Sequence, residues 1–314
     1  MEIIPVHEAL ERKLERQGRV KGLERHAFGH CVHIGKLSPG CTHCFKQDPF
    51  YRNYYAGAVC NLKCQYCPSE KGVGELTPEE IALLDADLEK QSSRPDFAPS
   101  AYSFTGGGEP LRYLDFLEER VAVIKRHTAH LDQQPWLYLY TNGLLADEPT
   151  LRRLKAMGFN EIRFHIGASN FPQKVYDNIR IAVGIFETVT VETPAWPPHR
   201  EKLFEMLPII DELGVKHLNL GEVEIIPANM SKISEEIPDA EVYHACEVHL
   251  DDGGLVYDLM AETIEKGYGF SVLDCSSFVK NYQRGKAKWL DIGDDDTEGL
   301  FTHPASDGGD PADL

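Results

Sequence analysis

The chain has 314 residues, with 32 Lys or Arg against 50 Asp or Glu, so its formal net charge is −18. This negative charge argues against a nucleic-acid-binding surface that depends on contacts with phosphate groups. No stretch approaches the roughly 20 apolar residues of a membrane span, and the N-terminus lacks the apolar core of a signal peptide. The eight cysteines are clustered at metal-ligand spacings, which favours a reducing compartment over a disulfide scaffold. We therefore expect a cytoplasmic protein without a membrane or nucleic-acid partner.

The first fifty residues carry a charged helix and then a cysteine-bearing segment. A helix is predicted over residues 5–28, and a loop over residues 30–50, where turn residues occur without a sustained period. In this loop Cys41 and Cys44 are separated by two residues, the tightest common chelating spacing for zinc or iron. Further ligands could come from Cys31 or from the histidines of the same segment, His30, His33 and His43.

A strand predicted over Asn53–Val59 ends in a compact cysteine motif. The motif is Cys60-Asn-Leu-Lys-Cys64-Gln-Tyr-Cys67, spaced C-x3-C-x2-C. Three thiolates can ligate three corners of a [4Fe-4S] cube and leave the fourth iron open to a small molecule. A zinc ribbon built from Cys41-x2-Cys44 and Cys64-x2-Cys67 is the competing interpretation. That alternative gives Cys60 no role.

A helix and a glycine-rich turn follow the cysteine motif. The helix is predicted from Thr77, because Thr-Pro-Glu-Glu gives an N-cap, a first-turn proline and early acidic residues. A strand over residues 101–105 then runs into Gly106-Gly-Gly-Glu109-Pro110. Glycines let backbone approach a ligand closely, and the Glu109 carboxylate can accept a hydrogen bond from an ammonium group. This turn is therefore a predicted ligand-binding segment.

The rest of the chain alternates strand and helix patterns, which predicts repeated βα units. Strands are predicted at 136–141, 161–167, 187–193 and 216–226, and helices near 111–130, 147–157, 173–185 and 200–213. In such barrels functional groups lie at the C-terminal ends of strands. The polar residues at these ends are Asn142, His165, Glu192 and Asn219. We predict that they line a cofactor pocket together with Gly106, Gly107, Gly108 and Glu109.

A seventh unit, helix 252–266 and strand 268–274, places Cys275 at the end of the last strand. We predict that Cys275 completes a second metal site with Cys31, Cys41 and Cys44, holding either an iron–sulfur cluster or zinc. The alternative is that these are buried cysteines without a metal. Cys246 is predicted to be a small core residue instead.

The cysteine spacing, with Tyr66 before the last cysteine, resembles the signature of the radical S-adenosylmethionine (radical SAM) enzymes. Likewise, Gly106–Pro110 resembles the GGEP motif of that superfamily. The resemblance implies an α/β fold, a partial (β/α)6 TIM-type barrel, in which SAM chelates the open iron and Glu109 binds its ammonium group. It also implies reductive cleavage of SAM to a 5′-deoxyadenosyl radical, with an electron donor such as flavodoxin or ferredoxin.

A narrower similarity covers about residues 38–285. Segments such as Ile162-Arg-Phe-His165 and Asp274-Cys-Ser-Ser277 are similar to a group of mostly archaeal radical SAM proteins labelled as related to pyruvate formate-lyase activating enzymes. This sequence departs from that group at Gly221, where Asn is common, and at Glu109, where Asp is expected.

We predict four segments: an N-terminal helix and cysteine-rich extension (1–50), the partial barrel (51–230), a C-terminal extension with the extra βα element (231–290) and a disordered acidic tail (291–314). The predicted function is a radical SAM enzyme that abstracts hydrogen from a small-molecule or peptide substrate. The alternatives are a glycyl-radical activating enzyme acting on a partner protein and a non-catalytic zinc-binding module. No catalytic side chain is predicted.

Overall fold

The computed structural model describes residues 1–26, 31–45, 49–69, 76–244 and 247–276. His30, Cys246 and the predicted tail over 291–314 lie outside these residues. The helices described are α1 (Val6–Arg19), α2 (Pro39–Phe45), α3 (Pro78–Ser92), α4 (Leu114–Thr128), α5 (Glu148–Met157), α6 (Gln173–Val183), α7 (Arg200–Glu212), α8 (Pro227–Glu236) and α9 (Leu255–Lys266). Along this part of the chain, no helix has the length and apolarity needed to cross a membrane.

The strands described are β1 (Glu2–Ile4), β2 (Glu24–His26), β3 (Cys31–Ile34), β4 (Arg52–Tyr55), β5 (Ala101–Thr105), β6 (Trp136–Thr141), β7 (Glu161–Phe164), β8 (Thr188–Pro194), β9 (His217–Gly221), β10 (Glu224–Ile225), β11 (Glu241–His244), β12 (Val248–Leu250) and β13 (Ser271–Cys275). The chain divides into two compact units that alternate along the sequence. The central unit comprises Ser38–Lys63 and Ser69–Val191. The flanking unit comprises Met1–Leu37, Cys64–Pro68 and Glu192–Leu314.

In the central unit, β4, β5, β6, β7 and the first half of β8 pair in chain order, and every pair is parallel. Parallel neighbours need a crossover, and α3, α4, α5 and α6 supply one between each pair. Both faces of β5 and β7 are covered, which is why Phe104 and Phe164 are fully buried. The Phe104 ring packs edge-on against Phe159 at 5.1 Å.

Local sequence signals fix the ends of two of these crossover helices. Thr77 caps α3 through a capping box with Glu80, as the sequence predicts. Asp147 caps α5, which ends at Gly158 with a φ of 106°, a conformation that favours glycine. Such caps satisfy backbone groups that a helix end leaves without partners.

The flanking unit contains two sets of strands. In the first set, β9 pairs in parallel with β13, which pairs antiparallel with β3, and β3 with β2. The second set is a four-stranded sheet in the order β1-β11-β12-β10. Its core joins Tyr66 and Trp196, whose rings lie 5.5 Å apart, to apolar residues of β10, α8, β11 and β12.

The structure confirms the predicted α/β class with parallel strands and βα alternation, as in a partial TIM-type barrel. Several local predictions are wrong. The strand predicted over 161–167 ends at Phe164, and the strand predicted over 216–226 is divided into β9 and β10, which belong to different sheets. The helix predicted over 5–28 ends at Arg19, because Gly22 adopts a φ of 85° and β2 follows. Residues 30–50 are not a loop, since they contain β3 and α2. The strand predicted over Asn53–Val59 is Arg52–Tyr55, because the chain turns at Gly57, where φ is 143°.

Candidate active site

The glycine turn lies against the start of the cysteine motif in the central unit. Gly108 N–H donates to Gly57 O at 3.0 Å and Glu109 N–H to Val59 O at 3.1 Å. A Cβ on Gly108 would lie 2.6 Å from the carbonyl carbon of Val59, so no side chain fits there. Gly107 has more space, since its nearest neighbour, Ala58, is 3.7 Å away. Glycine is therefore required at position 108 because the backbone at Ala58 and Val59 packs directly against it. This backbone contact positions Val59, the residue before Cys60.

Glu109 is a buried carboxylate held by three donors. Leu111 N–H and the Thr141 hydroxyl donate to Oε1 at 3.1 and 2.7 Å, and Asn142 N–H donates to Oε2 at 2.8 Å. Burial raises the pKa of this carboxyl above its ordinary value, and the three hydrogen bonds oppose that shift. A carboxylate offers about four acceptor positions, so one position stays available for a ligand cation. The contact between Glu109 and SAM stays a prediction.

Asn142 follows β6 and connects the glycine turn to the cysteine motif. Its side-chain Nδ2 donates to Asn61 Oδ1 at 2.7 Å and lies 3.9 Å from Cys60 Sγ. Its backbone N–H is held by Glu109. The structure thus brings together three predicted site residues, Glu109, Asn142 and Cys60, from three separate segments of the central unit.

The second half of the motif belongs to the flanking unit. Tyr66 is buried against Trp196, and burial followed by the neighbouring Cys64 and Cys67 raises the pKa of its phenol. The Asn229 amide donates to the carbonyls of Tyr66 and Cys67, each at 3.4 Å, and to that of Glu224 at 2.9 Å. A buried aromatic ring and a buried amide therefore fix the turn from Cys64 to Cys67.

Metal binding by the cysteines stays a prediction made from their spacing. In the parts of the chain that the structure describes, no group of three or more His, Cys, Asp or Glu residues is arranged to hold a metal ion. The thiol of Cys60 is exposed, and Leu62 N–H donates to its Sγ at 3.4 Å. N–H donors to sulfur are one of the features that tune iron–sulfur clusters, so this environment fits a cluster thiolate.

Of the other predicted pocket residues, Glu192 and Asn219 lie not at the strand ends, as predicted, but inside β8 and β9, two residues before each strand ends. His165 follows β7, and its backbone N–H donates to Thr141 O at 2.7 Å in the central unit. In the flanking unit, Asn219 Nδ2 donates to Glu192 Oε2 at 3.0 Å, and Asn219 is buried. The structure therefore pairs Glu192 with Asn219, and their contact with a cofactor stays a prediction.

Cys41 and Cys44 lie one turn apart on α2, which places them on neighbouring positions of that helix. The buried guanidinium of Arg163 donates to Cys41 Sγ at 3.4 Å. Cys44 lies close to Tyr51, whose phenol pKa is raised first by burial and then by the Cys44 sulfur. The Tyr51 and Tyr138 hydroxyls lie 2.6 Å apart. A phenol pair and a guanidinium thus surround the two cysteines in the central unit.

Cys275 ends β13 beside a buried charge network of the flanking unit. Lys13 Nζ lies 3.1 Å from both Asp274 Oδ2 and Glu222 Oε1, and the Tyr257 hydroxyl donates to Asp274 Oδ2 at 2.6 Å. Nearby, burial raises the pKa of Asp252 to about 7. The network fixes the end of β13 and so the position of Cys275.

Sequence reasoning missed the roles of four residues that shape these sites. Three of them, Ser38, Glu161 and Asn229, were not predicted to have any role in a site, and Tyr66 was not predicted to be part of the core. No local signal identifies the role of Asn229 at the motif, because the Tyr66 and Cys67 carbonyls that it binds are more than 160 residues away along the chain. Glu161 and Arg163 are two residues apart in β7, so their side chains lie on the same face of the strand. This spacing was a signal from which their buried ion pair could have been predicted.

A sequence comparison shows a similarity between the central segment and a known family. Residues 54–189 match the sequence model of the Radical SAM superfamily. A GTP 3′,8-cyclase from Peptoclostridium acidaminophilum is 29% identical over 115 residues, which are 37% of this chain and 33% of that protein. The chain thus spans about a third of this curated relative. The resemblance to mostly archaeal radical SAM proteins labelled as related to pyruvate formate-lyase activating enzymes stays a prediction.

Among solved structures, the chain is similar to coproporphyrinogen III oxidase (HemN) from Escherichia coli, with a TM-score of 0.47 and 15% identity over 80% of this chain and 62% of that one. Streptococcus suis SuiB bound to S-adenosylmethionine gives a TM-score of 0.43 and 14% identity over 60% and 47% of the two chains. The protein anSMEcpe with bound AdoMet gives 0.44 and 20% over 54% and 50%. The match to the family covers residues 54–189, which is less than half of the 314-residue chain.

Proposed function

We propose that the protein is a radical SAM enzyme that cleaves SAM reductively at a [4Fe-4S] cluster held by Cys60, Cys64 and Cys67. The observation that carries this proposal is the network within the central unit, in which the glycine turn holds Val59, Glu109 holds Asn142, and the Asn142 amide reaches Cys60. A plain turn at Gly106–Pro110 needs no such connection to a cysteine 46 or more positions earlier.

The side chains of this network have distinct roles. The Gly108 contact holds the backbone that leads into Cys60, and Asn142 and Leu62 place N–H groups near its sulfur. Glu109 keeps one acceptor position for the ammonium group of SAM after its three internal hydrogen bonds. When bound, the reduced cluster supplies one electron to the sulfonium of SAM. In this proposal the hydrogen donor is a small molecule or a peptide, and the electron donor is a protein such as flavodoxin or ferredoxin.

A second metal site is part of the proposal. Cys41 and Cys44 of α2 are two ligands with chelating spacing, and Cys31 and Cys275 are the other two. The β3–β13 pairing joins His33 to Leu273 and Ile34 to Val272, in antiparallel register. Two residues further along, the same register puts the position of Cys31 opposite that of Cys275. This backbone placement of Cys31 and Cys275 supports the proposal that these two cysteines bind the same iron–sulfur cluster or zinc ion.

The test is anaerobic purification and reconstitution, with iron, sulfide and zinc quantified, followed by an assay for 5′-deoxyadenosine with SAM and dithionite. We expect Cys60→Ala to abolish 5′-deoxyadenosine formation while Cys246→Ala, the control cysteine, leaves it intact. Formation retained in Cys60→Ala would contradict the cluster assignment. Zinc bound without sulfide would favour the zinc-binding module instead.

A further inference from the structure

Helix α2 is held in the central unit by a buried ion pair of β7. Gly40 N–H donates to Glu161 Oε2 at 3.0 Å, and a Cβ at Gly40 would lie 2.5 Å from Arg163 Nη2. The first turn of α2 therefore touches both members of the pair. Since Cys41 comes next in the helix, its sulfur lies within reach of the guanidinium.

Arg163 uses its guanidinium to bridge the strand and the helix. Nε donates to Glu161 Oε1 at 2.8 Å, and Nη1 to the Tyr140 hydroxyl at 3.0 Å. Nη2 donates both to Ser38 Oγ at 2.9 Å and to Cys41 Sγ at 3.4 Å. The cation also stacks over the Tyr138 ring, 4.4 Å from its centroid. With 3% of its surface exposed, Arg163 is fixed in one orientation by these contacts.

Glu161 orients Arg163 and has little capacity for anything else. Its Oε1 also accepts from the Thr190 hydroxyl at 2.8 Å, and Oε2 accepts from Trp136 Nε1 at 3.2 Å in addition to Gly40. Four donors from the described residues hold this carboxylate in place. Because the carboxylate fixes the guanidinium through Nε, Nη1 is directed to Tyr140, and Nη2 is directed to Ser38 and Cys41.

We propose that Arg163 is a positioning residue of the second metal site, which donates a charge-assisted N–H···S hydrogen bond to Cys41 when that sulfur is a metal-bound thiolate. This inference rests on the second metal site proposed above. Charge-assisted hydrogen bonds are about twice as strong as neutral ones, and outer-shell partners of metal ligands change metal affinity by roughly 10–100-fold. Lysine keeps the charge but cannot hold Glu161, Ser38 and the sulfur at once, because it lacks the planar fork.

The experiment measures Co²⁺ binding to the full chain with Cys60, Cys64 and Cys67 replaced by Ala, so that the first cluster cannot form. Co²⁺ bound through thiolates has a sulfur-to-metal charge-transfer band, which gives both affinity and ligand type. We expect this background to bind Co²⁺, and Cys41→Ala to abolish the band. Adding Arg163→Lys should weaken binding by about 10–100-fold and shift the band of the saturated protein to lower energy, because the sulfur loses its N–H donor.

Two control variants separate the sulfur contact from general effects. Arg153→Lys alters an exposed arginine of α5 that pairs with Asp115 and Glu118, and it should change neither affinity nor band energy. Thr42→Ala removes the hydroxyl that donates to Ser38 O at 3.1 Å, and so weakens the start of α2 without removing a hydrogen-bond acceptor of Arg163. An equal band shift in Thr42→Ala would overturn the role of Arg163 in favour of helix position.

The outcomes distinguish this inference from its premise. A background protein that binds no Co²⁺ through sulfur would overturn the second metal site and this inference with it. Normal binding with unchanged affinity and band energy in Arg163→Lys would overturn the inference alone. In either case 5′-deoxyadenosine formation by the chain with its three cluster cysteines intact tests the radical SAM proposal independently.

Discussion

Replacing Gly108 by Ala tests whether the glycine turn holds the cysteine motif in place. The new Cβ would lie 2.6 Å from the carbonyl carbons of Ala58 and Val59, and still closer to Val59 O, whereas ordinary contacts start at 3.4 Å. The two backbones must therefore separate by at least about 0.8 Å, the difference between 3.4 and 2.6 Å. This movement disrupts the hydrogen bonds from Gly108 to Gly57 and from Glu109 to Val59.

The expected destabilisation follows from these contacts. Overpacking costs about 1–3 kcal/mol, and each lost backbone hydrogen bond about 0.5–1.5 kcal/mol, so Gly108→Ala should lower the free energy of unfolding by about 2–6 kcal/mol. Gly107→Ala is the matched control, because its nearest neighbour is 3.7 Å away and its effect should stay within about 0.5 kcal/mol.

The assay is denaturant unfolding together with iron and sulfide content after anaerobic reconstitution. Gly108→Ala should lower both the free energy of unfolding and the cluster content, and Gly107→Ala should leave both near the wild-type values. Wild-type stability and cluster content in Gly108→Ala would refute the reasoning, because the observed backbone approach could then not be what positions Cys60.

Two further predictions concern buried carboxyls. Glu109→Gln should weaken SAM binding by about ten- to a hundredfold, since a charge-assisted hydrogen bond contributes about 1.5–3 kcal/mol, and unchanged affinity by calorimetry would remove Glu109 from the SAM site. Asp252 has a folded-state pKa of about 7 against an ordinary 3.8, so its contribution to stability is complete below pH 4 and is lost as the pH rises through 7. The reference variant is Asp252→Asn, which keeps the oxygen that accepts from Gly254 N–H. Relative to this variant, the wild type should lose about 4 kcal/mol of unfolding free energy between pH 4 and 8. Parallel plots of unfolding free energy against pH for the two proteins would contradict the burial of this charge.

Much of the barrel could be predicted from the sequence because its signals are local. The strands at 101–105 and 136–141 begin and end where predicted, since continuous apolar runs bounded by polar residues define buried parallel strands. The Thr77 cap is likewise set by four consecutive residues. Within the candidate site, the spacing of the cysteine motif and the glycine turn identified segments that the structure connects through Asn142.

Other elements could not be predicted because they depend on distant partners. Helix α2 has only seven residues and includes Gly40 and Thr42, which are poor helix formers, so it depends on the Ser38 contacts and on Glu161. Strands of two to four residues, such as β3 and β10, have too little periodicity to be recognised and are defined by the strands that they pair with.

The sequence by itself determined the βα alternation, and it predicted the class of chemistry and the residues most suited to bind a cluster, because ligand spacing and hydrophobic period are properties of short segments. Only the tertiary structure decided that Gly108 serves backbone contact, that Glu109 is held by three internal donors, and that Arg163 is buried against Cys41. These roles arise between residues up to 122 positions apart along the chain, and the contacts that define them form only when the strands and helices pack.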